Sequence, residues 1–361
     1  MTTSLATRIA RFIDRCANGA RDDRTRDALL AELSTEQSTH VDPYRRYLAG
    51  ETRRPSSFAL PALPTDVFRF ARVASHPPHL DIRTFRTSGT TGRARGEHAF
   101  CDLNLYDRAA RNAASYALFP ETARLRLCVL APSEQEAPDS SLSYMLARFI
   151  DWFGTEHSTY AWRDGGLRVP LLADILHAAQ ARREPIALLG TSFAFVHAED
   201  ALGDRRFQLP PGSRIMQTGG FKGRSRSIEP HEMLELLRAR YGVPAHHIVQ
   251  EYGMTELSSQ LYESVLIDGA EDPRRLWVPG WVRAEPVDPQ TLEPVVGAAV
   301  GLLRIDDLAN IGSVCAIQTS DLARRTPDGG IVLLGRAPGS VARGCSLAVE
   351  EWLDGHLHGA A

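Results

Sequence analysis

The chain has 361 residues, 41 basic and 44 acidic side chains, and a formal net charge of −3. That length suits one large domain or two to three lobes, and the balanced charge provides no global field to recruit nucleic acid. No apolar run approaches the about 20 residues that span a bilayer, and the arginine-punctuated N-terminus is amphipathic rather than signal-like, so a cytoplasmic protein is expected.

Helical periodicity covers residues 3–17 and 24–35, and Asp42 with Pro43 opens a short third helix. Prolines 55, 61 and 64 then interrupt, and residues 1–75 read as a helical and irregular N-terminal cap. Residues 76–275 read as an α/β core. A short extended run over 80–85 precedes a Gly-rich loop that leads into a helix over 101–116. Strands are predicted at 124–130, 185–196, 213–217 and 247–251. Helices are predicted from Asp139 or Ser140 to 150, over 170–181 and over 229–241. This alternation points to a mostly parallel sheet with chemistry at its strand ends. Residues 276–335 switch to short strands and turns, a β-rich lobe, and residues 336–361 form a short tail with a final helix over 347–357. Five cysteines, at 16, 101, 128, 315 and 345, form no CxxC pair or zinc cluster.

The loop from Thr87 to Gly96 holds four hydroxyl side chains, three glycines and the arginines Arg93 and Arg95. Glycines let several backbone N–H groups converge on one anion, and Thr87, Ser88, Thr90 and Thr91 add donors around Gly89 and Gly92. The lysine and glycine spacing of a P-loop is absent. Among 41 basic residues one is lysine, Lys222, set in a second glycine-rich basic stretch that includes Gly220. A compact, mobile ammonium there is chemically distinct from a guanidinium. The alternative for Lys222 is chance in an arginine-biased composition.

At the end of the predicted 247–251 strand, Tyr252 offers a ring for base stacking, Gly253 a tight turn, Thr255 a hydroxyl and Glu256 a carboxylate for a divalent cation. Asp321, placed at a predicted strand end, can accept hydrogen bonds from ribose hydroxyls, and Arg336 adds a ribose or phosphate contact. Each fragment alone is equally readable as core, turn or surface.

Together these segments resemble the adenylate-forming superfamily of acyl- and aryl-CoA ligases and peptide-synthetase adenylation domains. The loop from Thr87 to Gly96 resembles its phosphate loop, whose usual lysine falls at Arg95. Tyr252 to Glu256 resembles its adenine- and magnesium-binding motif, Asp321 its ribose-binding aspartate, and Arg336 its hinge arginine. Within the superfamily the chain is most similar to the acyl-protein synthetase of bacterial bioluminescence, including the segments at Gly219 to Lys222 and Arg343 to Ser346. The resemblance implies an α/β fold: the large N-terminal domain of an adenylate-forming enzyme with a β-rich lobe, lacking the usual full C-terminal mobile domain. It implies ATP and Mg²⁺, activation of a fatty or aryl acid as acyl-AMP, and passage of the acyl group through an enzyme cysteine to a reductase or carrier protein.

Cys345, with Arg343 two residues before it, is the candidate nucleophile. One departure bears on the chemistry: 25 residues follow Arg336 and none is lysine, so Lys222 is assigned the role of the missing catalytic lysine. Phe193, Phe195 and Phe221 are candidates for lining the acid pocket or filling core. The competing functions are a standalone acyl- or aryl-CoA ligase, against which the short tail speaks, and a non-catalytic adenylate-binding partner subunit. A homo-oligomer is compatible with all three.

Overall fold

A computed structural model describes residues 3–50, 56–88, 95–121, 123–219 and 228–337. Three helices open the chain: α1 (Leu5–Arg15), α2 (Asp23–His40) and α3 (Asp42–Gly50). Strand β1 (Leu63–Pro64), the hairpin β2 (Arg83–Arg86) and β3 (Glu97–Phe100), and α4 (Asn104–Ala117) follow. Then come β4 (Arg126–Leu130), α5 (Ser141–Phe153), β5 (Thr159–Tyr160), β6 (Trp162–Arg163), β7 (Gly166–Leu167) and α6 (Val169–Arg182). Strand β8 (Ile186–Thr191), α7 (Ser192–Leu202), β9 (Arg214–Thr218), α8 (Pro230–Tyr241), β10 (Ile248–Tyr252), β11 (Leu261–Glu263) and α9 (Val265–Asp268) continue the alternation. The chain closes with β12 (Leu276–Trp277), β13 (Val282–Val287), β14 (Gly301–Asp307), β15 (Ala316–Arg325) and β16 (Ile331–Arg336).

Two compact units result: Ala113–Gly253 with Gln260–Leu276, and Met1–Asn112 with Met254–Ser259 and Trp277–Ala361. In the first, the strand order is β11-β10-β9-β8-β4-β5, parallel from β10 to β5 with β11 antiparallel at one edge. Its strands are apolar in succession because both faces are covered. Cys128, Leu130, Ile186, Leu188, Ile215 and Ile248 pack in one cluster with residues of α6, α7 and α8. Leu127, Val129, Ala187, Leu189, Met216 and Val249, on the alternate positions, are buried as well.

Local signals account for the joints. Ser140 caps α5 by accepting from the Ser143 N–H at 3.2 Å, and Pro170 and Pro230 stand in the first turns of α6 and α8. Thr191 ends β8 and caps α7, accepting from the Ala194 N–H at 3.1 Å. The expected strand over 185–196 therefore stops at Thr191, and Phe193 and Phe195 are helical. Phe195 is core, whereas Phe193 is half-buried.

In the second unit, β13, β14, β15 and β16 form an antiparallel sheet, with β1 parallel to β15. Every residue of β14 is buried, including Arg304 and Asp306, which pair at 3.0 Å. Helix α2 is fastened by Gln37, whose amide donates to the Asn310 carbonyl and accepts from the Cys315 N–H, both at 2.8 Å. Among the described residues no helix is long and apolar enough to cross a membrane.

Candidate active site

The Gly-rich loop is carried on a hairpin. β2 pairs with β3 so that Arg86 faces Glu97 and Phe85 faces His98. At the neck, the Thr87 N–H donates to the Gly96 carbonyl and the Gly96 N–H donates to Thr87 Oγ1, both at 2.9 Å. Gly96 eases that closure, since a Cβ there would stand 3.1 Å from Thr87 Cγ2 and crowd its methyl. Arg95 Nε donates to the Thr87 carbonyl at 2.6 Å and Nη2 to the Arg86 carbonyl at 3.3 Å. Its guanidinium thus braces the neck. Ser88 is exposed beside it, while Gly89, Thr90, Thr91 and Gly92 lie outside the described residues. The sequence reading ran from this loop into a helix and missed β3.

The Tyr252–Glu256 motif divides between the units. Tyr252 ends β10, where the preceding Glu251 is buried and register-paired with Thr218 of β9. The Thr218 hydroxyl donates to the Glu251 carboxylate. Burial outweighs that bond and pushes Glu251 up from 4.5 to about 7. Gly253 leaves room for this carboxylate, since a Cβ there would lie 2.5 Å from Glu251 Oε1.

Thr255 and Glu256 belong to the second unit. His98 Nδ1 meets the Thr255 carbonyl at 2.8 Å, and Asn310 Nδ2 donates to the Glu256 carbonyl at 2.9 Å. Asp307 accepts from the N–H groups of Ser258 and Ser259 at 3.0 and 2.8 Å. Burial nevertheless raises its pKa, the four hydrogen bonds from Ser258, Ser259 and Ala309 opposing the shift. Burial also lowers His98 to about 4, leaving a neutral ring. A carbonyl oxygen only accepts, so Nδ1 carries the proton. Sequence reasoning passed over His98, Glu251, Asp307 and Asn310, because nothing local distinguishes them from ordinary polar residues.

Asp321 and Arg336 were expected as separate contacts. They are register partners on β15 and β16, with Arg336 Nε 3.3 Å from Asp321 Oδ1. The expected strand end at Asp321 is corrected: β15 runs on to Arg325, and the local interruption is a register shift between Leu322 and Ala323.

In the first unit, Gly219 follows β9 with φ +72°, a left-handed conformation suited to glycine. Ser192 Oγ donates to its carbonyl at 2.9 Å. Gly220, Phe221 and Lys222 lie outside the described residues, as does Cys345. Of the described cysteines, Cys16, Cys128 and Cys315 are buried and Cys101 is exposed. Burial raises all three buried thiols, Cys128 to about 12.

No group of three or more His, Cys, Asp or Glu side chains among the described residues is arranged to hold a metal. A magnesium ion carried chiefly by phosphate oxygens needs one or two protein carboxylates, and Glu256 would supply one.

No curated protein matches the chain. Among solved structures it is similar to a 2-hydroxyisobutyryl-CoA ligase in complex with 2-HIB-AMP and CoA, with TM-score 0.62 and 15% identity, over 87% of this chain and 74% of that one. It is also similar to ATP-bound MatB from Rhodopseudomonas palustris, with TM-score 0.50 and 16% identity, over 70% of this chain. The chain spans about half of MatB, 47%. The fold is thus that of adenylate-forming ligases. The family model described as acyl-protein synthetase, LuxE, matches residues 18–354, and the chain belongs to that family.

Proposed function

We propose that the protein activates a fatty or aryl carboxylic acid with ATP and passes the acyl group to a protein thiol. A carboxylate oxygen attacks the α-phosphorus, the bond to the bridging oxygen breaks, and pyrophosphate leaves with the electron pair. A thiolate then attacks the acyl carbon of acyl-AMP and AMP leaves. The observation that carries this reading is the joining, in a chain of the acyl-protein synthetase family, of the Thr87–Gly96 hairpin to the Thr255–Glu256 segment through His98.

In this reading the loop N–H groups and the hydroxyls of Thr87, Ser88, Thr90 and Thr91 receive the phosphates. Arg95 holds the loop's neck, Tyr252 stacks on adenine, Asp321 accepts from the ribose hydroxyls, and Arg336 sets the Asp321 carboxylate. Glu256 would hold a magnesium ion, whose chemistry there is to neutralise phosphate charge. Lys222 steadies the charge developing at the α-phosphate. Cys345 is the proposed acyl carrier, handing on to a reductase or carrier protein in the cytoplasm. Three of the other cysteines are buried with raised pKa values, so Cys101 is the control.

The test is acid-dependent ATP–pyrophosphate exchange over aliphatic and aromatic acids, with Lys222→Ala and Lys222→Arg alongside. Exchange restricted to one acid class and abolished in Lys222→Ala supports adenylation; full activity in Lys222→Arg removes the lysine's role. Labelled acyl-enzyme should vanish in Cys345→Ala and persist in Cys101→Ala. A free CoA thioester with no acyl-enzyme would replace the protein-thiol step with a ligase.

A further inference from the structure

We infer that His98 is a positioning residue of the nucleotide site, setting the Thr255–Glu256 segment against the neck of the Gly-rich hairpin; this rests on the adenylation reading above. His98 stands two residues beyond Gly96, whose N–H closes the neck onto Thr87. Its ring is enclosed by Phe68 and Phe100, with centroids at 5.8 and 4.1 Å, and is buried at 1% exposure. A ring so held has little rotational freedom, and its Nδ1–H reaches the Thr255 carbonyl at 2.8 Å. The next carbonyl along, that of Glu256, is held by Asn310. Two successive peptides, those of Thr255 and Glu256, are therefore held by buried side chains from β3 and from the turn after β14.

Asn310 has its orientation fixed too: Nδ2 donates to the Glu256 and Val314 carbonyls at 2.9 and 3.0 Å, while Oδ1 accepts from the Ser258 hydroxyl at 2.5 Å. These bonds tie Asn310 to the segment and to Val314. His98 joins the segment to the hairpin, from β3 to the Thr255 carbonyl. A neutral imidazole is the form that makes the bond without burying a net charge, in agreement with its depressed pKa.

The test compares three substitutions in the full-length chain. Asparagine places an amide N–H where Nδ1 stands, leucine has asparagine's size without the donor, and glutamine places its amide where Nε2 stands. His98→Leu and His98→Gln should raise the KM for Mg·ATP by about 5- to 10-fold, the scale of one buried hydrogen bond, with His98→Asn restoring most of it. Deuterium exchange should quicken at the amides of Leu257, Ser258 and Ser259 in the first two variants and not in the third. An unchanged KM with only a lowered melting temperature would make His98 structural and overturn the inference. So would indistinguishable deuterium exchange in all three variants. Should His98→Leu fail to fold, His98→Gln against His98→Asn decides the same question. Should the wild type exchange pyrophosphate with no acid, the adenylation reading falls while the deuterium comparison still reports on the coupling.

Discussion

Glu251 makes the stability of this protein depend on pH in a direction opposite to that of an ion-paired carboxylate. Its side chain is 4% exposed at the end of β10, and burial holds its pKa near 7 against an ordinary value of 4.5. Between those values the folded chain keeps a proton that the unfolded chain has released, so stability falls as pH rises through the window. The full displacement corresponds to about 3 kcal/mol, reached above the folded-state value and absent below the unfolded one. Glu251→Gln keeps the shape and an oxygen to accept from the Thr218 hydroxyl but cannot ionise. Urea unfolding of both chains, followed by far-UV circular dichroism from about pH 4 to about pH 8, should therefore show the variant gaining on the wild type. The gap should open at up to ~1.4 kcal/mol per pH unit and level off near about 3 kcal/mol. A gap that stays constant, or one that closes as pH rises, would refute the claim that this carboxyl is neutral in the folded protein at mildly acid pH.

Gly253→Ala brings a Cβ within 2.5 Å of Glu251 Oε1, so it should cost about 1–3 kcal/mol by the usual scale of overpacking. Most of that cost should disappear in the Gly253→Ala/Glu251→Ala background, read as a coupling energy in a double-mutant cycle. Asp307→Asn should destabilise by about 3 kcal/mol in thermal or urea unfolding, because each carboxylate oxygen accepts two hydrogen bonds and an amide NH₂ at either place opposes donors. Phe195→Ala should cost about 3–5 kcal/mol while leaving acid preference unchanged, whereas Phe193→Ala should hold stability within about 1 kcal/mol. If acid preference follows Phe195 and not Phe193, the assignment of Phe195 to the core is wrong.

The parts of the fold set by local signals were legible in the sequence. Periodicity and caps located the helices now seen at Leu5–Arg15, Ser141–Phe153, Val169–Arg182 and Pro230–Tyr241, and apolar runs located the parallel strands β4, β8, β9 and β10 but not the two-residue β5. What was illegible depended on partners distant in the chain. The pairing of Asp321 with Arg336 needs the register of two strands, and a register shift beside Asp321 hides it from periodicity. Strand β3 is four residues long and carries Glu97 and His98 beside the alanine and phenylalanine at its end, too short for an alternating pattern to be distinctive. Phe193 and Phe195 read as a continuing strand because an apolar helix facing a sheet resembles one, and the capping role of Thr191 decided between them.

The same distinction explains why the sequence singled out glycines and hydroxyls as candidate site residues and not the residues that support them. Thr87, Gly96, Tyr252 and Gly253 advertise themselves because tight turns and exposed donors demand particular residue types. A supporting residue needs only a donor or acceptor at a point fixed by tertiary structure. The chain passes from one unit to the other between Gly253 and Met254, so the two ends of the Tyr252–Glu256 motif are braced independently. Glu251 and Thr218 secure the first end; His98, Asn310 and Asp307 secure the second. Each brace removes polar atoms from water, which costs stability wherever a hydrogen bond is imperfect. An apolar filling would hold either end of the chain in a core, but it would not fix the direction of a carbonyl. Hydrogen bonds to the Thr255 and Glu256 carbonyls do so, and that orientation is what the proposed nucleotide-binding role of this hydroxyl and carboxylate would require.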